Sequence, residues 1–147
     1  MANQQQLDLL KQKVATAWNK WREEHPDTPI TLNKIDLSKT NLDKVNLAQT
    51  DLSLANLNQT DLNNANLSQA RLAQADLSGA NLAGADLSDA DLREANLSHA
   101  DLNGADLTGA NLQGADVREA LLEEATLEGA LITPEQLSQA KVGPGSL

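Results

Sequence analysis

Two histidines and 21 carboxylates are the side chains of this 147-residue sequence best equipped for chemistry, and there is no cysteine. A histidine beside a carboxylate could shuttle a proton. A group of carboxylates could hold a hard cation. His25 sits next to Pro26, where a helix would end. His99 reads as a surface residue rather than half of an acid–base couple with Glu119. The Asp residues recur singly at multiples of five, and a single row of one ligand type does not enclose an ion. Lack of Cys removes thiolate nucleophiles, thiolate metal sites and disulfides. Glycines also recur singly, so no phosphate-cradling loop is present. The expectation is a protein that is not an enzyme and that carries no cofactor and no metal.

The elements that must position these residues follow from a repeat. Leu recurs every five residues from Leu32 to Leu112, and the series continues through Val117, Leu122, Leu127 and Ile132. These 21 positions, without insertion or deletion, are the centres of pentads. Two residues earlier stands Ile, Val, Thr or Ala, and then Ala at every step from Ala65 to Ala130. One residue earlier is Asp or Asn nearly throughout. A period of five suits neither helix nor plain strand: on a helix the Leu positions would spiral around all sides, and on a strand they would alternate faces. Gly at the second position after the centre, as in Gly79, Gly84 and Gly104, fits the third residue of a type II turn. Each pentad then reads as a short extended piece plus a corner, with the centre and the small residue inward.

The units Ala75-Asp76-Leu77-Ser78-Gly79, Ala80-Asn81-Leu82-Ala83-Gly84 and Ala105-Asp106-Leu107-Thr108-Gly109 resemble the pentapeptide-repeat family, whose pattern is A(D/N)LXX. The segment Trp18-Asn19-Lys20-Trp21-Arg22-Glu23-Glu24 is similar to cyanobacterial members. The resemblance implies an all-β solenoid, a right-handed quadrilateral parallel β-helix with four pentads per coil. Twenty-one pentads would make about five coils, roughly 25 Å long at ~4.8 Å per coil. Residues 20 apart should then stack. One outward column would read Asp36, Asn56, Asp76, Asn96, Asp116, and each Asn could donate hydrogen bonds to the carboxylates above and below.

An open solenoid needs caps. Leu7, Leu10, Val14, Ala17, Trp18 and Trp21 form an apolar stripe at helical spacing, ended by Pro26 and Pro29. The spacing predicts one helix from about residue 4 to 24 over the first coil; a partner-binding or membrane-surface helix is the alternative. Thr133-Pro134-Glu135-Gln136 starts a second, short helix with a capping box. The expected division is 1–29 N-terminal helical cap, 30–132 β-helix, and 133–147 short C-terminal helix and tail.

Departures from the repeat mark candidate interaction residues. Leu54 occupies a corner, and Leu121 and Leu131 replace the usual outward Asp or Asn. Leu131 is expected beneath the C-terminal cap. Leu54, Leu121, Trp18 and Trp21 are the candidate contact residues. Net charge is −10, and residues 51–147 hold 15 acidic against four basic residues. That body would repel nucleic acid. The polar start Met1–Gln6 carries no secretory pattern and no apolar run reaches the ~20 residues of a membrane span, so a cytoplasmic location is expected.

The sequence therefore leads to a non-catalytic structural or protein-interaction module of unknown partner, a monomer or weakly self-associating. The family resemblance implies an alternative, a DNA-mimicking modulator of DNA gyrase. Members of that kind favour Phe at many centres and pair through their C-terminal ends, whereas every centre here is aliphatic.

Overall fold

A computed structural model describes residues 4–11 and 15–142. From Thr31 onward the backbone climbs by a parallel bridge between each residue before a centre and the residue 20 positions later, as in Asp36 with Asn56, Asn41 with Asp61, Asn46 with Asn66 and Asp51 with Arg71. Twenty residues hold four pentads, so four walls rise in parallel. The first wall carries Leu32, Leu52 and Leu72; the second Leu37, Leu57 and Leu77; the third Leu42, Leu62 and Leu82; the fourth Leu47, Leu67 and Leu87. Each pentad contributes a single bridged residue rather than a longer strand.

The bonding explains why five residues suffice. Leu62 N–H donates to Asn81 O at 2.7 Å, Asn64 N–H to Ala83 O at 2.9 Å, and Asn81 N–H to Thr60 O at 3.0 Å. Within the pentad, Ala65 N–H closes a turn on Leu62 O at 3.0 Å. The turn's third residue is Asn64, at φ 58°. The same position is left-handed at every pentad from Lys34 to Gly129, in Lys, Gln, Leu, His and Glu as well as in Gly. An L-residue there costs about 1–2 kcal/mol. The three inter-coil bonds per pentad outweigh that cost collectively.

Inside, the centres from Leu32 to Leu122 are almost wholly removed from water, and so are the Ala residues beside them from Ala55 to Ala120. The interior is one continuous cluster from Leu10 and Trp18 to Ala125. Thr60, buried among aliphatic neighbours, donates its hydroxyl to Leu37 O at 2.7 Å, which makes the polar group tolerable.

The N-terminal segment forms two helices, not one: α1, Gln4–Leu10, and α2, Ala15–Glu24, which pack against each other. Residues 12–14, with Val14 of the expected stripe, lie outside the described residues. A helix over 4–24 would be roughly 30 Å long, while a wall of five residues spans at most about 18 Å. Two short helices cover the end of the coil where one long helix would overhang it. At the other end, α3, Pro134–Gln139, begins with the expected capping box: Thr133 and Gln136 exchange side-chain and backbone bonds. The five-residue frame then resumes, and Lys141 pairs with Leu121 as one more rung.

Candidate interaction surfaces

The N-terminal cap stands in for a missing coil along the fourth wall. In the body, the carbonyl before each centre accepts an N–H from the coil below, but no coil precedes Asn46. Its carbonyl instead accepts from Trp18 Nε1 at 2.6 Å. Asn46 N–H donates to Asn19 Oδ1 at 2.8 Å, and Asn19 Nδ2 donates to Lys44 O at 3.0 Å. Arg22 Nη2 donates to Ala48 O at 2.8 Å and Nη1 to the Thr50 hydroxyl at 3.2 Å. The half-buried guanidinium has its pKa lowered by desolvation. Trp18 is fully buried and Trp21 nearly so, with ring centroids 5.7 Å apart, and His25 stacks on Trp21 at 4.6 Å. The two tryptophans thus face the solenoid core. Asn19 and Arg22 escaped the sequence reasoning. Their signal was a polar residue directly after each tryptophan, readable only once the helix is known to lie across an open rung.

On the walls, the Asp and Asn residues have a local task. Asp76 Oδ1 accepts from Ser78 N–H at 3.0 Å, and Asn96 Oδ1 from Ser98 N–H at 3.0 Å. The same bond, from the N–H two residues on, recurs from Asp36 to Asp116. It pins the entrance of the corner, as Asx turns do. Stacking of residues 20 apart is as expected, since Asp36, Asn56, Asp76, Asn96 and Asp116 are bridged in series. Among the described residues the Nδ2 groups of Asn56 and Asn96 make no bond to a carboxylate of the next coil, and it is their Oδ1 atoms that are engaged, in the turn bonds. Asp and Asn are exchangeable because both offer Oδ1.

Many wall charges are engaged close to home. Arg93 and Arg118 each hold the Asp of their own pentad with two bonds, to Asp91 and Asp116. Arg71 reaches Asp51 at 3.5 Å. The side-chain bonds from Ser38, Arg93, Thr108 and Arg118 keep the carboxyls of Asp36, Asp91, Asp106 and Asp116 below the usual range. His99 stands beside Arg118 and Glu119, and Lys141 Nζ takes Glu119 at 2.8 Å, lowering its pKa. Asp43, at the foot of α2, buries one carboxylate oxygen that no protein donor reaches. Among the described residues no group of three or more His, Cys, Asp or Glu has the arrangement to hold a metal ion.

Leu54 is 49 % exposed at a corner with φ 62°. Leu121 is half-buried on the third wall, between Asp101 and Lys141. Leu131 does not lie beneath α3: it is 51 % exposed. As the residue before a centre it points out of the first wall, and α3 extends over the end of the coil, not its flank. The four residues singled out from the sequence are not brought together. Trp18 and Trp21 close one end, Leu121 lies near the other, and Leu54 stands alone on a corner.

Square coils built of pentads with Leu centres, Ala beside them and Asx-pinned corners define a pentapeptide-repeat solenoid. The sequence matches the family described as pentapeptide repeats over residues 31–69, 70–109 and 90–129. The chain belongs to the pentapeptide-repeat family, and with that membership goes a right-handed quadrilateral β-helix. Similar solved structures include a pentapeptide repeat protein from the Arabidopsis thaliana thylakoid lumen, 27 % identical, TM-score 0.66, covering 77 % of this chain and 75 % of that one. A pentapeptide repeat protein from the cyanobacterium Cyanothece 51142 is 27 % identical, TM-score 0.56, with 88 % and 96 % covered. One from the cyanobacterium Nostoc is 31 % identical over 85 % of this chain and 94 % of its own, with TM-score 0.40. A search of curated proteins found no match. No described helix is long and apolar enough to cross a membrane.

Proposed function

We propose that the chain is a non-catalytic interaction module, a cytoplasmic rod of about five coils that holds side chains at fixed spacing for a protein partner. The observation that carries this reading is how the polar groups are used. Backbone bonds join coil to coil, the Asp and Asn oxygens pin corners, and the Arg side chains of the walls pair with an Asp of their own pentad or of the adjacent coil. What remains is four walls of outward Ser, Asn, Gln, Asp and Glu on rungs ~4.8 Å apart. Flat walls lack the concave, desolvated pocket in which catalytic groups are tuned. Affinity capture with the full chain, followed by cross-linking to locate contacts, tests the reading. Contacts on solenoid residues are expected. Substrate turnover by the purified protein, removed by substituting an outward residue, would overturn it.

A second reading, gyrase modulation by likeness to duplex DNA, draws on the acidic body. The Asn residues between stacked Asp residues and the short-range pairing of Asp51, Asp91 and Asp116 favour it less. A gyrase supercoiling assay titrated with this protein separates the two readings: no effect at excess protein is expected.

A further inference from the structure

The two ends of the rod are finished differently. At the N-terminal end Leu10, Trp18 and Trp21 are buried, and side chains of α2 meet the first rung. At the C-terminal end α3 buries none of its own residues. Every centre from Leu32 to Leu122 is at most 2 % exposed, yet the next two, Leu127 and Ile132, are only partly buried. Ala130, Leu137, Ala140 and Val142 share that state. Beside them stands Leu131, one of the two large apolar side chains exposed among the described residues.

The rim of this apolar end is acidic. Glu123, Glu128 and Glu135 are exposed around it. The nearby cation, Lys141, is engaged with Glu119. A second copy meeting this one end to end in a two-fold manner would bring like rims together, because such an interface is self-complementary. A head-to-tail copy would offer lysines at its N-terminal end but, among the described residues, no exposed large apolar side chain, since the other one, Leu54, lies on the second coil. An apolar face ringed by carboxylates instead complements a segment that carries both aliphatic and cationic side chains.

Building on the interaction-module reading, we propose that the C-terminal end of the rod, rather than its walls, is the docking face, and that its occupant is an amphipathic cationic segment of a different protein. Leu127 and Ile132 at the end, with Leu131 on the adjoining top rung of the first wall, would receive the apolar side chains, and Glu123, Glu128 and Glu135 the cationic ones.

The test uses the full chain and a labelled 14-residue peptide of leucine and lysine in amphipathic helical order. A permuted peptide of the same composition, with the leucines spread around the helix, is the control. Anisotropy titrations at fixed salt should show the amphipathic order binding at least tenfold tighter. Leu131→Asn leaves charge unchanged and should weaken binding by about tenfold, the loss expected for one half-exposed Leu that becomes covered. Glu128→Gln with Glu135→Gln should weaken binding and flatten its salt dependence. Asp86→Asn with Asp106→Asn removes as much charge from the fourth wall and should leave affinity within twofold. Hydrogen-exchange protection should fall on residues 121–142. Equal binding of the permuted peptide, equal loss in the Asp86/Asp106 variant, protection on mid-body walls or absence of saturable binding would each overturn the proposal. If cross-links to a native partner then map to the walls, the interaction-module reading survives and only the docking face is wrong. Equal urea midpoints for all variants establish that each is folded.

Discussion

The cap over the first coil can be tested at Trp18. This residue fills the open end of the core and donates Nε1–H to Asn46 O at 2.6 Å. Trp18→Ala removes a fully buried aromatic, a change worth about 3–5 kcal/mol, and strips the Asn46 carbonyl of its donor, adding roughly 1 kcal/mol or more. Trp18→Phe keeps most of the packing and loses the donor, so about 1–2 kcal/mol is expected. In a solenoid, stability is close to a sum over neighbouring repeats. The loss should therefore be local. Hydrogen exchange in Trp18→Ala should deprotect the amides of Leu32, Lys34 and Leu47, which bond across the first two coils. About 4 kcal/mol corresponds to roughly a thousandfold faster exchange. Amides of Leu87 and Leu92, near the middle of the rod, should change little. Uniform deprotection along the chain, or a change below about tenfold at Leu32, would refute the view that α2 closes the first coil by substituting for its missing neighbour.

Four further outcomes follow from the corners and the carboxylates. Leu54→Gly should raise stability in urea unfolding by about 0.5–1 kcal/mol, since Leu54 is half exposed and holds φ 62°. Gly104→Ala should lower it by a similar amount: an added Cβ would meet nothing closer than Gly84 N at 4.0 Å, so only φ 71° opposes it. Asp76→Ala should cost about 1 kcal/mol by releasing the Ser78 N–H, while Asp76→Asn, which keeps Oδ1, should stay within about 0.5 kcal/mol. The pKa values of Asp36, Asp91, Asp106 and Asp116 are depressed in the folded state, chiefly by the side-chain bonds named above. Their contribution is full above the unfolded carboxyl pKa of about 3.9 and is lost as pH falls through the folded values. The urea midpoint should be flat between about pH 6 and 5 and fall below about pH 4; a midpoint that rises there would contradict the assignment.

The Leu and Ala columns were legible in the sequence because they are periodic and each obeys one rule, burial. The capping box of α3 was legible for a similar reason: Thr133, Pro134 and Gln136 act within four residues. The role of the Asp and Asn residues was not. Their spacing invites a reading between coils, but the nearest unsatisfied donor is the N–H two residues away, and proximity wins. The division of the N-terminal stripe into α1 and α2 depends on the size of the coil they cover, which no local pattern states. Leu131 looked shielded because it is close to α3 in sequence; its wall points it away. For the interaction surface, composition showed where charge lies, but the contrast between a sealed end and an unfinished one needed burial along the whole rod.

The bridge between each residue and the one 20 positions later makes this molecule a ruler with an angular scale. Adding 20 residues to the body would lengthen it by ~4.8 Å and return the C-terminal end to the same azimuth above α2. Adding a single pentad would lengthen it by only about a quarter of that, but would turn one end a quarter revolution against the other. Distance and direction between the two ends are thus set separately, by how many whole coils and how many leftover pentads the gene specifies. A partner that reads both ends would tolerate changes of length in steps of twenty and reject steps of five.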